Sequence, residues 1–347
     1  MLIKMKPKKV ISSILIVIIL IGAFFGWIFF GPTVKSPDGD YFYVHTGATF
    51  QQVKDSLLKN KIISSTFWFD KISQYTNYDK KVKAGKYKIA NGMSVVNLVR
   101  MLRSGRQSPV NLVITKLRTK EDLAKKIGDN FETDSLHVIN FLNNNDSVLQ
   151  FDVDTNSVMT MVIPNTYTYT WNTPVQKIFK KLYNEEQKFW NEERKKKAER
   201  LHFTPKEIYT IASIVEEETT RQEDKGKIAS VYINRLRKGM KLAADPTIKF
   251  AMKDFGLKRI YYKYLGYASP YNTYIHTGLP PGPINTPSIK TIDAVLDAPE
   301  TDYLFFVARL NSGGLSDFAS TFQEHSVYAK AYRDALDSAL KEKQANQ

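Results

Sequence analysis

The chain has no cysteine. Disulfide scaffolds, thiolate metal sites, thiol nucleophiles and lipid attachment through cysteine are all excluded. Histidine is scarce, with five in 347 residues, and no HExxH or close histidine pair occurs. A structural zinc site is therefore not expected, and no metal or cofactor is anticipated. Acid is also short: 35 Asp and Glu stand against 50 Lys and Arg, a net charge of +15. Such a chain suits an anionic polymer or an anionic membrane face. Nucleic acid would fit the charge, but no basic stripe carries interleaved aromatics in a known module pattern. Nucleic acid is not expected as a partner.

One long uncharged run is present. Lys4, Lys6, Lys8 and Lys9 precede Val10–Gly31, VISSILIVIILIGAFFGWIFFG. As a helix this segment would be roughly 30 Å long, which matches a bilayer's hydrocarbon core. It is too long for an ordinary signal-peptide apolar region and has no small-x-small cleavage site after it. The expectation is an uncleaved transmembrane anchor, with a cleaved signal peptide as the alternative. The four lysines put residues 1–9 in the cytoplasm and everything after Gly31 outside the cytoplasmic membrane. Trp27, Phe29 and Phe30 would lie near the outer interface.

About 310 residues remain, enough for two or three small domains. Residues 32–40 read as a polar linker. Strand, helix, helix, strand and helix are expected at Tyr41–Val44, Thr49–Asn60, Ser65–Tyr75, Gly85–Ile89 and Ser94–Arg103. That order, within 41–108, is also the order of LysM-type carbohydrate modules. A connecting α+β region spans 109–202. It holds a strand at Pro109–Thr115, helices at Thr119–Ile127 and Thr133–Asn144, and strand and loop over Val158–Thr170. One long charged helix is expected at Val175–Leu201, its Glu192–Arg200 part a solvated extension. Residues 203–347 form one unit: helices at Pro205–Arg221 and Asp224–Leu236, a short helix after Asp245-Pro246-Thr247, and a long loop at Tyr267–Pro287. Helix at Thr291–Leu296, a buried strand at Tyr303–Val307, a paired strand at Phe318–Thr321 and a terminal helix at Glu324–Lys341 complete it. The fold class is α+β.

The segment Ile211–Asp224, IASIVEEETTRQED, carries three consecutive carboxylates. With Thr204 as N-cap and Pro205 at the first helical position, residues advance by about 100° each. Ile208, Ile211, Ala212, Ile214 and Val215 then form one apolar stripe. Glu217 falls on the opposite, solvated face and Glu216 on the flank. Glu218 falls within about 50° of the stripe's centre. A carboxylate beside an apolar stripe has either a buried partner or a raised pKa, and a general acid needs the latter. Glycosidic cleavage requires such an acid, and hydrolysis usually adds a second carboxylate. The candidates are Glu216, Glu218 and Asp245. Glu216 and Glu218 diverge by about 160° and cannot flank one bond. Glu218 is the better acid, against the plain alternative of a buried salt bridge to Arg235 or Arg237. Asp245 could instead cap the next helix. In the long loop, Tyr267, Tyr271, Asn272, Tyr274 and His276 are donors and flat surfaces suited to sugar rings, or else a rigid connection packed on the core.

IASIVEEET, KIASVYINRLRKGMKL, ADPTIKFAM and YNTYIHTGLPPGPINTP, in this order, resemble the YceG-like endolytic peptidoglycan transglycosylases, the MltG type. The resemblance covers almost the whole chain. It implies a bacterial cell-wall lyase of the cytoplasmic membrane that cuts the β-1,4 bond between N-acetylmuramic acid and N-acetylglucosamine inside glycan strands. The muramic acid 6-hydroxyl displaces the leaving group and leaves a 1,6-anhydro end, which limits nascent strand length. One carboxyl then suffices, first giving a proton and later accepting one. The resemblance puts this role on Glu218 and implies substrate-side roles for Glu216, Asp245, Tyr271, Asn272 and Tyr274. Peptidoglycan glycan strands are the implied partner, with peptidoglycan synthases as candidates. Ala243 stands where members usually carry Gln, and Asn165 where they carry Asp. The alternative reading is a catalytically silent peptidoglycan-binding scaffold.

Overall fold

The structure is a computed structural model that describes residues 7–257, 259–309 and 313–345, with side chains over 11–27, 29–257, 259–309 and 313–336. Residues 1–6, most of the expected cytoplasmic tail, lie outside the described residues. The chain divides into two compact units. One comprises residues 1–111, 130–133 and 168–174, the other residues 112–129, 134–167 and 175–347.

The first unit opens with helix α1 (Pro7–Phe30). Its side chains between Ile11 and Trp27 are largely exposed, Ile19 and Leu20 to 63% and 62%. Among the described residues no helix is long and apolar enough to cross a membrane. Strand β1 (Tyr41–Val44), helices α2 (Phe50–Lys59) and α3 (Phe67–Tyr75), strand β2 (Gly85–Lys88) and helix α4 (Val95–Ser104) follow. The strands pair antiparallel, Tyr41 opposite Lys88 and Val44 opposite Gly85. Local chemistry sets the ends. Thr49 and Gln52 form a capping box on α2, and α4 stops where Gly105 takes φ 70°, a conformation glycine adopts without Cβ strain. Phe42, Leu57, Phe69, Tyr87, Leu98 and Leu102 are in the core. Phe29, at the end of α1, packs against it.

Within strands β3 (Val110–Val113) and β4 (Thr166–Tyr169) the chain passes from one unit to the other, as it also does around residues 130–133 and before residue 175. Between them lie helices α5 (Lys120–Gly128), α6 (Ser135–Leu142) and α7 (Asn145–Val148). The expected single helix over Val175–Leu201 is two: α8 (Val175–Phe189) and α9 (Glu192–Arg200). Asn191 breaks the run by capping α9, its Oδ1 accepting from the Arg194 N–H at 3.0 Å, with Glu192 and Glu193 favourably placed in the first turn. Trp190 turns into the core at the break. The expectation that Glu192–Arg200 is merely solvated also fails, because Arg194 and Lys197 pair with Asp293 and Asp297 at 2.9 Å.

Helices α10 (Pro205–Glu218), α11 (Gln222–Arg237), α12 (Asp245–Ala251), α13 (Tyr262–Leu265) and α14 (Ile289–Leu296) build the rest of this unit with strands β5 (Phe305–Ala308) and β6 (Ser316–Ala319) and helix α15 (Phe322–Ala345). The strands β5 and β6 pair antiparallel. Strand β5, expected to be buried, is half-exposed: Phe305, Phe306 and Val307 are partly buried and Ala308 is exposed. Helix α10 lies at the centre of the core, against α9, α11, α12 and α14. Every residue from Ile208 to Val215 is buried, so no single stripe faces inward. Its apolar side chains contribute about 1.5–3 kcal/mol each when fully buried. The helix emerges from the core again at its last turn, which holds Glu216, Glu217 and Glu218.

Candidate active site

The last turn of α10 is an unfavourable place for three acids. The negative end of the helix dipole lies there, and each carboxylate costs about 0.3–1 kcal/mol before compensation. The structure compensates each of the three differently.

Glu216 meets Lys225 of α11 at 3.1 Å and the Ser288 hydroxyl at 3.1 Å, and accepts from the Thr291 hydroxyl. Burial pushes its carboxyl up, but the Thr291 hydrogen bond and the Lys225 charge outweigh this and hold it below the usual range. Lys225 is itself nearly buried and also donates to Thr291 at 2.5 Å. Glu216 thus ties α10 to α11 and α14.

Glu217 does not face solvent as its helical phase suggested. Lys116 reaches it at 2.8 Å, Arg118 at 3.6 Å and the Asn285 amide at 3.2 Å. The covering segments, residues 115–118 and 284–286, are held together by Thr286. Its N–H donates to Leu117 O and its hydroxyl to Thr115 O, both at 2.8 Å. Asn285 also donates to Ser213 O of α10 at 2.7 Å.

Among the described residues Glu218 has no cation in contact. Its Oε1 accepts from the Tyr232 hydroxyl of α11 at 2.5 Å. The salt-bridge alternative is not what forms: Arg235 donates to the carbonyls of Leu304 and Leu242, both at 2.7 Å, and Arg237 to Leu201 O. Burial is the largest influence on Glu218 and raises it. The Tyr232 hydrogen bond lowers it, nearby Asp245 raises it, and Lys249 and Arg235 lower it. The outcome is a carboxyl pushed up from 4.5 to about 7. Tyr232 and Tyr274 are driven far above their ordinary range, chiefly by burial, and stay neutral donors.

A second carboxylate–tyrosine pair completes the site. Asp245, exposed at the first turn of α12, accepts from the Tyr274 hydroxyl at 2.5 Å. Ala244 is the N-cap of α12 and Asp245 its first residue. A threonine pair fixes its placement: Thr247 and Thr273 share a hydrogen bond at 2.9 Å, and Thr273 Oγ1 accepts from Ala244 N–H at 3.0 Å. Ala243 just before them sits at φ 48°, a strained position for a residue with a Cβ. Its N–H donates to Thr273 O at 3.0 Å.

Of the loop residues expected to touch sugar, Asn272 is wholly buried. Its amide donates to Leu265 O and Tyr267 O at 3.0 and 2.8 Å, and its Oδ1 accepts from Tyr274 N–H at 2.9 Å. It folds the loop that presents Tyr274. Tyr271 leans on Phe250, ring centroids 4.7 Å apart, and lines a cavity. The structure therefore brings Glu218, Asp245 and Tyr274 into one electrostatically linked group. Glu216 lies apart on its own side of the helix end, and Asn272 behind the loop. Asn165 accepts with its side chain from Thr166 N–H and with its carbonyl from Ile114 N–H.

Two adjoining clefts lie in this unit. One, of 180 Å³, is lined by Arg118, Glu217, Pro246, Lys249, Phe250 and Phe255 among others. The other, of 270 Å³, shares Arg118 and Phe250 and reaches Lys120, Asn143, Lys253 and Tyr271. Cations and aromatic faces line both, and Asn143 and Asn156 add amides to the second, a lining that suits a polar polymer with ring faces. Among the described residues no group of three or more His, Asp or Glu is placed to hold a metal ion.

Sequence reasoning passed over Tyr232, Thr247 and Thr273. By its spacing Tyr232 falls on one apolar side of α11 with Ile228, Val231 and Leu236. Its signal was the hydroxyl itself, since a buried tyrosine needs a partner.

An α+β unit with a near-neutral glutamic acid between a tyrosine donor and a second carboxylate has the features of a carbohydrate-cleaving active site. The profile of the YceG-like family matches residues 42–331, and the chain belongs to that family. It is 31% identical over 311 residues to the endolytic murein transglycosylase of Bacillus subtilis, covering 83% of each chain. Against the protein of that name from Streptococcus pneumoniae it is 26% identical over 314 residues, 80% of this chain and 56% of the other. The chain thus spans just over half of the pneumococcal relative. The crystal structure of a YceG-like protein from Listeria monocytogenes is similar at 26% identity and a TM-score of 0.54, over 82% of this chain and 97% of that one.

Proposed function

We propose that this chain is an endolytic lytic transglycosylase that cuts the N-acetylmuramic acid β-1,4 N-acetylglucosamine bond within glycan strands. The observation that carries the reading is the contrast at the end of α10. Of three adjacent glutamates, only Glu218 lacks a cation in contact among the described residues, and it is raised to about 7. A carboxyl at that value is a competent donor and a competent acceptor at neutral pH. In the reaction, Glu218 gives its proton to the glycosidic oxygen as the C1–O bond breaks, and the N-acetylglucosamine 4-hydroxyl leaves. The same carboxylate then takes the proton of the muramic acid 6-hydroxyl as that oxygen bonds to C1. The 1,6-anhydro ring closes without water and Glu218 is protonated again. Tyr232 orients the carboxyl throughout and stabilises its ionised form. Asp245, held by Tyr274, supplies negative charge toward the positive charge that develops at C1.

The reading extends to location. The apolar, exposed surface of α1 from Ile11 to Trp27 is what an anchor in the cytoplasmic membrane would present to lipid. The body then stands outside that membrane, where the 41–108 module, in LysM-like element order, sets its reach. Peptidoglycan synthases are candidate neighbours of such an enzyme.

Asp245 beside Glu218 also permits a two-carboxylate hydrolase, which would activate water. Product chemistry separates the readings. Intact glycan strands are digested with the chain and the ends are determined by mass spectrometry. Anhydro ends that vanish in Glu218→Gln are expected. Reducing ends dependent on Glu218 would favour hydrolysis, and unchanged strands would favour the silent scaffold.

A further inference from the structure

The first unit carries a feature that glycan cleavage does not use. Beside the C-terminal end of α1 lies an open cavity of 550 Å³. Ile72, Val96 and Val99 line it together with Phe29 and Trp68, and Lys71, Arg100 and Arg103 border it. Phe25 and Phe29 of α1 meet Trp68 with ring centroids 5.9 and 6.0 Å apart. A second cavity of 580 Å³ shares Arg100 and Arg103 and adds Lys80, Lys81 and Lys83. The two are contiguous, one apolar and one polar.

The cations here are not used in ion pairs. Among the described residues none of Lys71, Lys80, Lys81, Lys83, Arg100 and Arg103 has an acidic partner. Arg100 donates to Asn97 and Lys83 to Ser104 O. Asp70 and Asp79 line neither cavity, and Asp70 is taken by Lys54 at 3.0 Å. Six like charges held around two open cavities attract an anion. An apolar hollow joined to that field selects an anion with a hydrocarbon tail. Tyr75 and Phe67 of α3 add exposed aromatic surface, 89% and 57% exposed, of the kind that settles at a headgroup interface.

We propose that this composite cleft binds an anionic phospholipid. The phosphate lies among Lys80, Arg100 and Arg103, and the acyl chain lies against Ile72, Val99 and Trp68. The proposal rests on the anchoring reading, since α1 in a bilayer delivers the cleft to the outer leaflet's headgroups. The site would fix the first unit on the membrane surface, beyond what α1 alone fixes.

The test uses the full-length chain in detergent micelles, offered equal phosphatidylglycerol and phosphatidylcholine and weighed by native mass spectrometry. Wild type is expected to retain phosphatidylglycerol about tenfold or more over phosphatidylcholine, in keeping with several headgroup-level cations acting together. Two neutralised variants, Arg100→Gln/Arg103→Gln and Lys80→Gln/Lys81→Gln, are expected to lose that preference while cleaving glycan at the wild-type rate. High salt is expected to abolish it in wild type, a control that needs no variant. Inorganic phosphate at the lipid concentration is expected not to displace the lipid. Equal retention of the two lipids by wild type, or a preference untouched by neutralisation, overturns the proposal, as does full displacement by phosphate. Carbonate extraction reports separately on the anchor. Wild type that extracts yet keeps its lipid preference sinks the anchor and leaves the cleft, and the converse sinks the cleft alone.

Discussion

The two sides of the α10 terminus differ by their partners, not by their residue type. On one side Glu216 meets Lys225, Ser288 and Thr291 and is held below the usual carboxylate range. On the other, two residues on, Glu218 meets a neutral tyrosine and is pushed to about 7. Both carboxyls are half-buried. Burial raises both; at Glu216 the Thr291 hydrogen bond and the Lys225 charge outweigh it, while at Glu218 the Tyr232 hydrogen bond does not. One acid secures the fold, and the other is left free to exchange a proton.

The comparison breaks most sharply if the two glutamates are neutralised in turn. Glu218→Gln is expected to lower the rate of glycan cleavage about 10³-fold, the range of a lost general acid, as read from released anhydro ends. Glu216→Gln is expected to leave the chemistry in place but strand a buried lysine, at a cost of about 3 kcal/mol. The measurement is the melting temperature near pH 7. Because the Glu216 carboxyl is depressed, its contribution is present above the ordinary carboxylate range, and the difference from wild type should fade as pH falls through and below it.

Stability against pH should run the other way for Glu218. Its carboxyl is raised, so the penalty is absent below the ordinary value of 4.5, grows as pH rises from there to about 7 and is complete above that. Glu218→Gln is therefore expected to melt above wild type at pH 8 and alongside it at pH 4. The shift from 4.5 to about 7 corresponds to about 3 kcal/mol. Thermal scans at the two pH values decide this, and equal differences at both would contradict it.

Smaller effects sharpen the account. Tyr232→Phe removes a hydrogen bond that lowers Glu218 and should move the alkaline limb of the pH–rate profile up by roughly one unit. Asp245→Asn removes a charge that raises Glu218 and should move the same limb down. Movement of both limbs in one direction would separate the profile from Glu218.

Much of this fold was open to reading because its signals are local. Thr204-Pro205 reads as an N-cap with proline at the first helical position, and Thr204 caps the helix, in a box that Glu207 completes. Ser104-Gly105 reads as a stop and acts as one. Asn191-Glu192-Glu193 is an equally local cap, hidden by the continuous apolar face from Ile178 to Trp190. The site was less open. Glu217 lost its solvated face to Lys116 and Arg118, about a hundred residues earlier in the chain. Helical phase says which way a side chain leaves its helix and nothing of what arrives there. Tyr232 belonged by periodicity to the core and by its hydroxyl to Glu218. Asn272 has the chemistry to bind sugar, but its amide is consumed in folding its own loop. The resemblance placed Glu218 by motif, while its raised pKa comes first from burial and then from Asp245, against the lowering pull of Tyr232 and Lys249, surroundings that only the fold assembles.

The most direct measurement of the central claim is a pH titration of the glutamate side-chain carbons by NMR, with resonances assigned by loss in Glu218→Gln and Glu216→Gln. The account predicts that the Glu218 resonance titrates near pH 7 and the Glu216 resonance below the ordinary carboxylate range. Both titrating together in that ordinary range would contradict it.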